Sequence, residues 1–380
     1  MSTDPYSGSD TGPTSGGDAD IARAVALERM LVATGFAGAR REPIAGDAST
    51  RRYERLIDGD RQAILMDAPR GNEAPPCPPY ASEAERRALG WNAVSRLAAS
   101  RVEAFVAVSD HLNELGLSAP LILGVNVPAG YAVVEDLGEG VFARVLEDGE
   151  DEIKLYCAAA DVLAQVHAAP MPDALPGPVG DWPLLDFDAL ALAANADLFI
   201  EWTPQLAPEI CIDDTARGRW ETIRDALVAE ALAMPRAFTI RDYHAENLLW
   251  LPERDGVRRV GLLDFQDAVR GWPAWDFAML LQDARRDVSP VAAEAAVARY
   301  LRRSGMEEAA FRRQLALLGA LNAMRILGIF ARLAHRDGKQ RYRQFLPREW
   351  GHLAANLRHP ELGDLRAFVT EIAAPYLEAA

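Results

Sequence analysis

Asp242, Asn247 and Asp264 are the residues of this 380-residue chain whose types and order could do chemistry. Asp242 stands five positions before Asn247 in Arg241-Asp242-Tyr243-His244-Ala245-Glu246-Asn247. Asp264 follows Asn247 by seventeen positions, in Leu262-Leu263-Asp264-Phe265. Transfer of a phosphoryl group to a hydroxyl asks little covalent work of a protein. It needs a carboxylate to orient the acceptor and take its proton, and hard oxygen ligands to hold Mg²⁺ on the phosphates. Asp242 suits the first task. The amide oxygen of Asn247 and the carboxylate of Asp264 suit the second. Asp-x-x-x-x-Asn alone is common; followed by one apolar strand, and then by apolar-apolar-Asp-Phe at the end of another, it becomes specific.

The elements that must position this trio can be read on either side of it. Short apolar strands are expected at Phe238 to Arg241, paired with Leu248 to Leu251, and at Val260 to Asp264. Upstream, a helix is expected over 19–34, ending at Gly35. Strands at 52–57 and 62–67 flank the hairpin turn Asp58-Gly59-Asp60. A Pro-rich break at 74–79 precedes two capping-box patterns, Ser82-x-x-Glu85 and Ser100-x-x-Glu103, which predict helices over 82–98 and 101–115. Strands follow at 121–125 and 130–134, then helices over 141–168 and 186–233, and a helical remainder from 290 to 379. The fold class is α+β. A small N-terminal lobe with a sheet covers 21–134, a connector covers 135–140, and a larger, mostly helical lobe covers 141–380. Residues 1–20 are polar, acidic and rich in Gly and Ser, which predicts a disordered tail.

Charge limits the partners. With 56 acidic against 40 basic residues the formal net charge is −16, which repels phosphate backbones and anionic membranes. Neither nucleic acid, membrane nor a protein partner is expected. Cys77, Cys157 and Cys211 are far apart and odd in number, so neither a disulfide framework nor a zinc site is supported; reduced thiols in the cytoplasm are expected. The apolar stretch from Leu315 to Ala334 is interrupted by Asn322, Arg325 and Arg332, which predicts a buried core helix and not a membrane span.

The segments AGDASTRRYERL (45–56), LMDAP (65–69), VVEDLGEG (133–140), RDYHAENLLWL (241–251), GLLDFQDAVRG (261–271) and RILGIFARLAHRDGKQRY (325–342) resemble the aminoglycoside phosphotransferase and choline kinase superfamily over roughly residues 40–350. Within it the closest likeness is to the bacterial anomeric N-acetylmuramate/N-acetylglucosamine kinases of cell-wall recycling. The resemblance implies a bilobal protein-kinase-like fold, with an antiparallel sheet in the small lobe and the acceptor site in the C-terminal helices. It implies ATP and Mg²⁺ as cofactors and transfer to a sugar hydroxyl. It makes Asp242 the base and Asn247 and Asp264 the metal ligands. The backbone around Glu135 and Leu137 becomes the hinge that reads adenine, and Gly46 to Tyr53, with Ser49, the loop over the phosphates. Asp276 becomes the brace of the catalytic loop. His244 is read as a structural hydrogen-bonding residue of that loop.

The chain departs from the pattern at the third strand, where kinases of this fold place a lysine. Here Met66 is near that site, and the only lysines are Lys154 and Lys339. Arg51 and Arg52 are the candidates to supply phosphate-binding charge, since an arginine fork binds phosphate oxygens in a bidentate way. Gln266 stands where protein kinases have Gly, and 74–100 reads as an insertion without assigned function. Arg325, Arg332, Arg336 and Lys339 would lie along one helical face if the helix continues, which suits an anionic acceptor such as a sugar acid. Asp267 is a candidate for the sugar hydroxyls. Two other readings stay open: a kinase of another acceptor (an aminoglycoside, an amino alcohol or homoserine), and a nucleotide-binding pseudokinase.

Overall fold

The structure is a computed structural model and describes residues 16–44, 51–69 and 74–379. By its internal contacts the chain divides into two units. The first is Met1–Arg70 with Ile122–Asp136; the second is Gly71–Leu121 with Leu137–Ala380.

In the first unit, helix α1 (Gly16–Thr34) precedes a five-stranded antiparallel sheet of β1 (Arg40–Ile44), β2 (Arg52–Asp58), β3 (Arg61–Asp67), β4 (Ile122–Asn126) and β5 (Tyr131–Glu135). Their order across the sheet is β1-β2-β3-β5-β4. The hairpin between β2 and β3 closes with Asp58 opposite Arg61, and Gly59 takes the left-handed φ of 60° that the tight turn requires. Strand alternation puts Leu56, Ala63, Leu65, Tyr131 and Val133 on one face, where they pack with Leu27, Met30 and Leu31 of α1. Strand β1 escaped sequence reading because Arg40-Arg41-Glu42-Pro43-Ile44 is a largely exposed polar edge with no alternation to detect. The helix begins at Gly16, so the last residues of the expected 1–20 tail are helical. The rest of that tail lies outside the described residues.

The second unit is built around the helix Glu308–His335, which packs on Ala189–Leu206, Pro273–Leu281 and Leu346–Asn356. It crosses Ala189–Leu206 so closely that a Cβ at Gly328 would sit 2.3 Å from the Leu198 carbonyl carbon, so only glycine fits. This helix is long and apolar, and most of it is buried against its neighbours.

Several expectations need correction. The segment 71–121 belongs to the second unit, so the expected lobe of 21–134 is interrupted. The reason is a set of specific bonds: Ser118 Oγ donates to the Arg258 carbonyl at 2.8 Å, the Ser118 carbonyl accepts from Leu262 N at 2.9 Å, and Phe105 stacks on Phe265 at 5.0 Å. The helix expected over 82–98 is two, Glu83–Leu89 and Trp91–Val94, because Gly90 has φ 96°. The capping box at Ser82 and Glu85 is present. At the second such pattern, Ser100 and Glu103, the helix starts at Val102 with Arg101 as its N-cap, one residue later than the pattern implies, and the Glu103 carboxylate takes the Arg101 guanidinium at 2.7 Å. The 141–168 helix divides into Phe142–Glu147 and Glu152–Ala168, separated by Gly149 at φ 95°. The 186–233 helix divides into Ala189–Leu206 and Asp214–Ala233. The strand Ala237–Thr239 pairs with Val269–Gly271, and Leu248–Trp250 pairs with Val260–Leu262. The expected pairing of the first with the third is therefore not formed.

Candidate active site

Two short two-stranded ladders hold the trio. Asp242 lies in the loop that leaves Ala237–Thr239, Asn247 ends that loop where Leu248–Trp250 begins, and Asp264 follows Val260–Leu262. The Asn247 amide nitrogen donates to the Asp242 carbonyl at 2.9 Å. The Leu263 N–H donates to the Asn247 carbonyl at 2.9 Å, tying the loop of Asp264 to the loop of Asp242 and Asn247. With Nδ2 committed to the loop, the oxygen of Asn247 is the end of the amide free to face a cation. Asp264 is exposed and adopts φ 54°, and Gln266 Nε2 donates to one of its oxygens at 2.8 Å. An amide oxygen and a carboxylate form a hard donor pair that fits Mg²⁺, which takes few protein ligands and keeps its water.

The loop of Asp242 is braced from below. Asp276 is fully buried in the helix Pro273–Leu281. Its two oxygens accept the Arg241 N–H at 2.8 Å and the Ile240 N–H at 2.9 Å, and His167 Nε2 lies 3.2 Å from Oδ2. Arg241 has φ 78°. A non-glycine residue in that region costs roughly 1–2 kcal/mol and persists where surrounding bonds over-determine it. Here those bonds are the two to Asp276 and the Arg241 guanidinium's own contacts. His244 is buried, and its Nε2 lies 3.2 Å from Asn247 Nδ2. Because that amide nitrogen donates, Nε2 accepts and the ring proton sits on Nδ1. Burial lowers the His244 pKa below the usual 6.5, so the ring is neutral at physiological pH.

Around the proposed base the field is mixed. Burial draws the Arg325 guanidinium down from 12.5 to about 10, while the nearby Asp242 charge works the other way. Arg325 Nε donates to the Asn322 oxygen at 2.9 Å, and its guanidinium lies 5.6 Å from the Trp275 ring. Arg332, two turns along the same helix, is apart from this group. It lies 5.6 Å over the Trp91 ring, and its Nε has no hydrogen-bond partner among the described residues. The helix ends at His335, so Arg336 and Lys339 leave the expected cationic face; Arg336 instead pairs with Asp337 at 2.7 Å. Asp267 Oδ1 accepts the Ala98 N–H at 2.5 Å, so the carboxylate proposed for sugar hydroxyls is engaged by the chain itself.

The nucleotide-side residues are placed less completely. Gly46 and Ser49 lie outside the described residues. Arg51 directly precedes β2. Arg52 stands opposite Asp67 in the β2–β3 register, on the α1 face, whereas Met66 stands opposite Tyr53 and Ala132 on the other. Arg52 therefore does not occupy the face on which the missing lysine would stand. Asp67 in turn is held by Arg23 at 2.5 Å. Glu135 ends β5, and Asp136 beside it pairs with Arg55 at 2.6 Å. Leu137 begins the second unit and packs near Gly261.

One buried carboxyl near the site was invisible to sequence reading. Glu349 is fully buried, and neither oxygen has a hydrogen-bond partner among the described residues. Burial pushes it well above the usual 4.5, offset in part by Arg325. The folded protein thus keeps a proton that the unfolded chain releases once pH exceeds about 4.5. The stability this group contributes is present below 4.5 and is lost as pH rises through its folded value. Glu349→Gln has no proton to lose. Its melting temperature should gain on the wild type as pH increases from 4.5 to 8; a constant difference across that range would contradict the assignment.

A family model described as the phosphotransferase enzyme family (APH) matches residues 40–312. The chain belongs to the APH phosphotransferase enzyme family. A curated N-acetylmuramate/N-acetylglucosamine kinase of Caulobacter vibrioides is 52% identical over 347 residues, 91% of this chain and 95% of that protein. The Pseudomonas aeruginosa protein of the same name is 31% identical over 352 residues, 89% of this chain and 91% of its own length. An ethanolamine kinase structure from Plasmodium vivax superposes with TM-score 0.56 at 13% identity, covering 91% of this chain and 90% of that one. That likeness shows the fold, a mixed α+β kinase-like architecture. As an APH-family member the chain is a phosphotransferase.

Proposed function

We propose that this enzyme transfers the γ-phosphoryl group of Mg·ATP to the anomeric hydroxyl of N-acetylmuramate and of N-acetylglucosamine, giving the sugar 1-phosphate. The observation that carries this reading is the 52% identity to the Caulobacter kinase across 91% of the chain. Asp242 orients the acceptor hydroxyl and takes its proton as the new P–O bond forms and ADP departs. Asn247 and Asp264 hold the ion, which neutralises charge on the nucleotide phosphates when bound. Glu135 and Leu137 flank the adenine-reading backbone. The reaction takes place in the cytoplasm, where ATP and sugars recovered from peptidoglycan meet.

Arg325 supports the choice of a sugar acid. Its charge is within electrostatic reach of Asp242, and an ammonium substrate would be repelled there. ADP release with N-acetylmuramate, N-acetylglucosamine, an aminoglycoside, ethanolamine and homoserine tests the reading. The two sugars should dominate; greatest turnover on any amine would overturn it. Arg325→Met should lower kcat/KM for N-acetylmuramate on the order of 10- to 100-fold, the range of one charge-assisted hydrogen bond. N-acetylglucosamine lacks the carboxylate and should lose much less. Equal losses on both sugars would show that Arg325 does not read the lactyl group.

A further inference from the structure

The segment 74–100 reads in sequence as an insertion with no assigned function. Its contacts give it one. At the start of 91–99, the Trp91 ring lies under the Arg332 guanidinium at 5.6 Å. In the middle, the carbonyls of Ser95 and Arg96 both accept Arg241 Nη1 at 3.1 Å, and Arg241 is the residue before Asp242. At the end, the Ala98 N–H donates to Asp267 at 2.5 Å, three residues past Asp264. One short stretch therefore touches the acceptor-side helix, the loop of the base and the loop of the metal ligand.

The stretch is itself held by a part-buried ionic node. Arg86 is 2% exposed and donates to the carbonyls of Ala93 and Val94 at 3.2 and 2.8 Å. Asp188 accepts two bonds from Arg86, at 2.5 and 3.0 Å, and a third from Arg96 at 2.8 Å. Among the described residues the non-glycine positions with positive φ are Arg96, Ala99, Arg241 and Asp264. All of them fall in this stretch or in the two loops it touches. Left-handed backbone confined to one connected group indicates a shape imposed by the bonds around it.

We propose that residues 91–99 form a positioning clamp that holds the Arg241–Asp242 loop and the Asp264–Asp267 loop in register for phosphoryl transfer, with the Asp188–Arg86–Arg96 node setting the clamp. The inference rests on the reading of Asp242 as base and Asp264 as metal ligand. Asp188 is a positioning residue, since it acts through Arg86 and Arg96 and touches no reacting atom.

Asp188→Asn is the test. Asp188 also caps the helix Ala189–Leu206 through the Ala191 N–H at 3.0 Å, and asparagine caps equally well, so the helix should survive while the charge is lost. In the folded variant kcat should drop on the order of tenfold, with KM for ATP and for the sugar within about twofold. Its effect should also be non-multiplicative with that of Arg241→Lys. A folded variant with kcat within about twofold of wild type, or effects that multiply, would overturn the clamp. Should Asp188→Asn fail to fold, Arg86→Lys replaces it with the same expectations, because an ammonium cannot reproduce the forked bonding. Hydrogen exchange on the wild type needs no variant. The Ala98 amide should be protected comparably to Leu248–Trp250, and exchange at the rate of an open loop would also overturn the clamp. Asp242→Asn run in parallel separates the two levels. If it retains turnover, the assignment of the base fails; if only Asp188→Asn is silent, the clamp alone fails.

Discussion

Asp242→Asn should lose on the order of 10²-fold or more in kcat, the range for removal of a positioned general base. Asparagine keeps the size of the side chain and can still accept a hydrogen bond from the acceptor hydroxyl. It cannot take the proton. The loop should stay in place, because its bond from Asn247 goes to the Asp242 backbone carbonyl and its brace from Asp276 goes to the Ile240 and Arg241 amides. Melting temperature and KM for ATP should therefore match wild type. Single-turnover measurement of ADP formation with N-acetylmuramate checks this, and wild-type rates in the variant would remove Asp242 from the mechanism.

Asp276→Ala should be the most damaging substitution for stability. It deletes the acceptor of two buried backbone N–H groups and the partner of His167 from a position with no solvent exposure. Truncation leaves those buried donors unpaired, so the loss should be about 3–5 kcal/mol, the range for breaking a buried charged interaction. Arg241 would also lose the bonds that hold it at φ 78°, so activity should fall further than the unfolded fraction explains. Asp276→Asn should lie between, since one of its atoms still accepts while the other presents a donor to a donor. Urea titration and residual kcat measured together decide the matter. A loss below about 1 kcal/mol would mean that the loop is held by other contacts.

These residues were not equally legible in sequence. Asp242, Asn247 and Asp264 sit in one short stretch whose spacing and apolar flanks carry the signal, and the structure places them in loops joined by hydrogen bonds to the Asp242 and Asn247 carbonyls. The pairing of Ala237–Thr239 with Val269–Gly271 was not legible, because three-residue apolar strands have no period with which to choose a partner. The helix breaks at Gly90 and Gly149 could have been read as termini, since both glycines take positive φ. Asp276 was reached through family likeness, and the structure supplies the physical content of that likeness in two amide bonds. Glu349 and the Asp188–Arg86–Arg96 node could not be read at all. Their character comes from burial and from partners distant in sequence, which no local pattern encodes. The cationic face from Arg325 to Lys339 was over-read, because the helix ends at His335 and the chain turns at Gly338, φ 67°.

The interleaving of the two units has a consequence for how the protein can be made. Strand β3 finds its neighbour β5 only after the whole of Gly71–Leu121 has been synthesised, and that stretch belongs to the other unit. A nascent chain emerging from the ribosome therefore cannot complete the first unit before the second has begun. Its β1–β3 segment must wait with an unpaired edge, a state open to wrong pairing with other chains. No single cleavage releases either unit whole, since Met1–Asp136 still carries a piece of the second. Fragments cut at any one bond should express poorly, whereas a permuted gene that joins Arg70 directly to Ile122 would make the first unit contiguous.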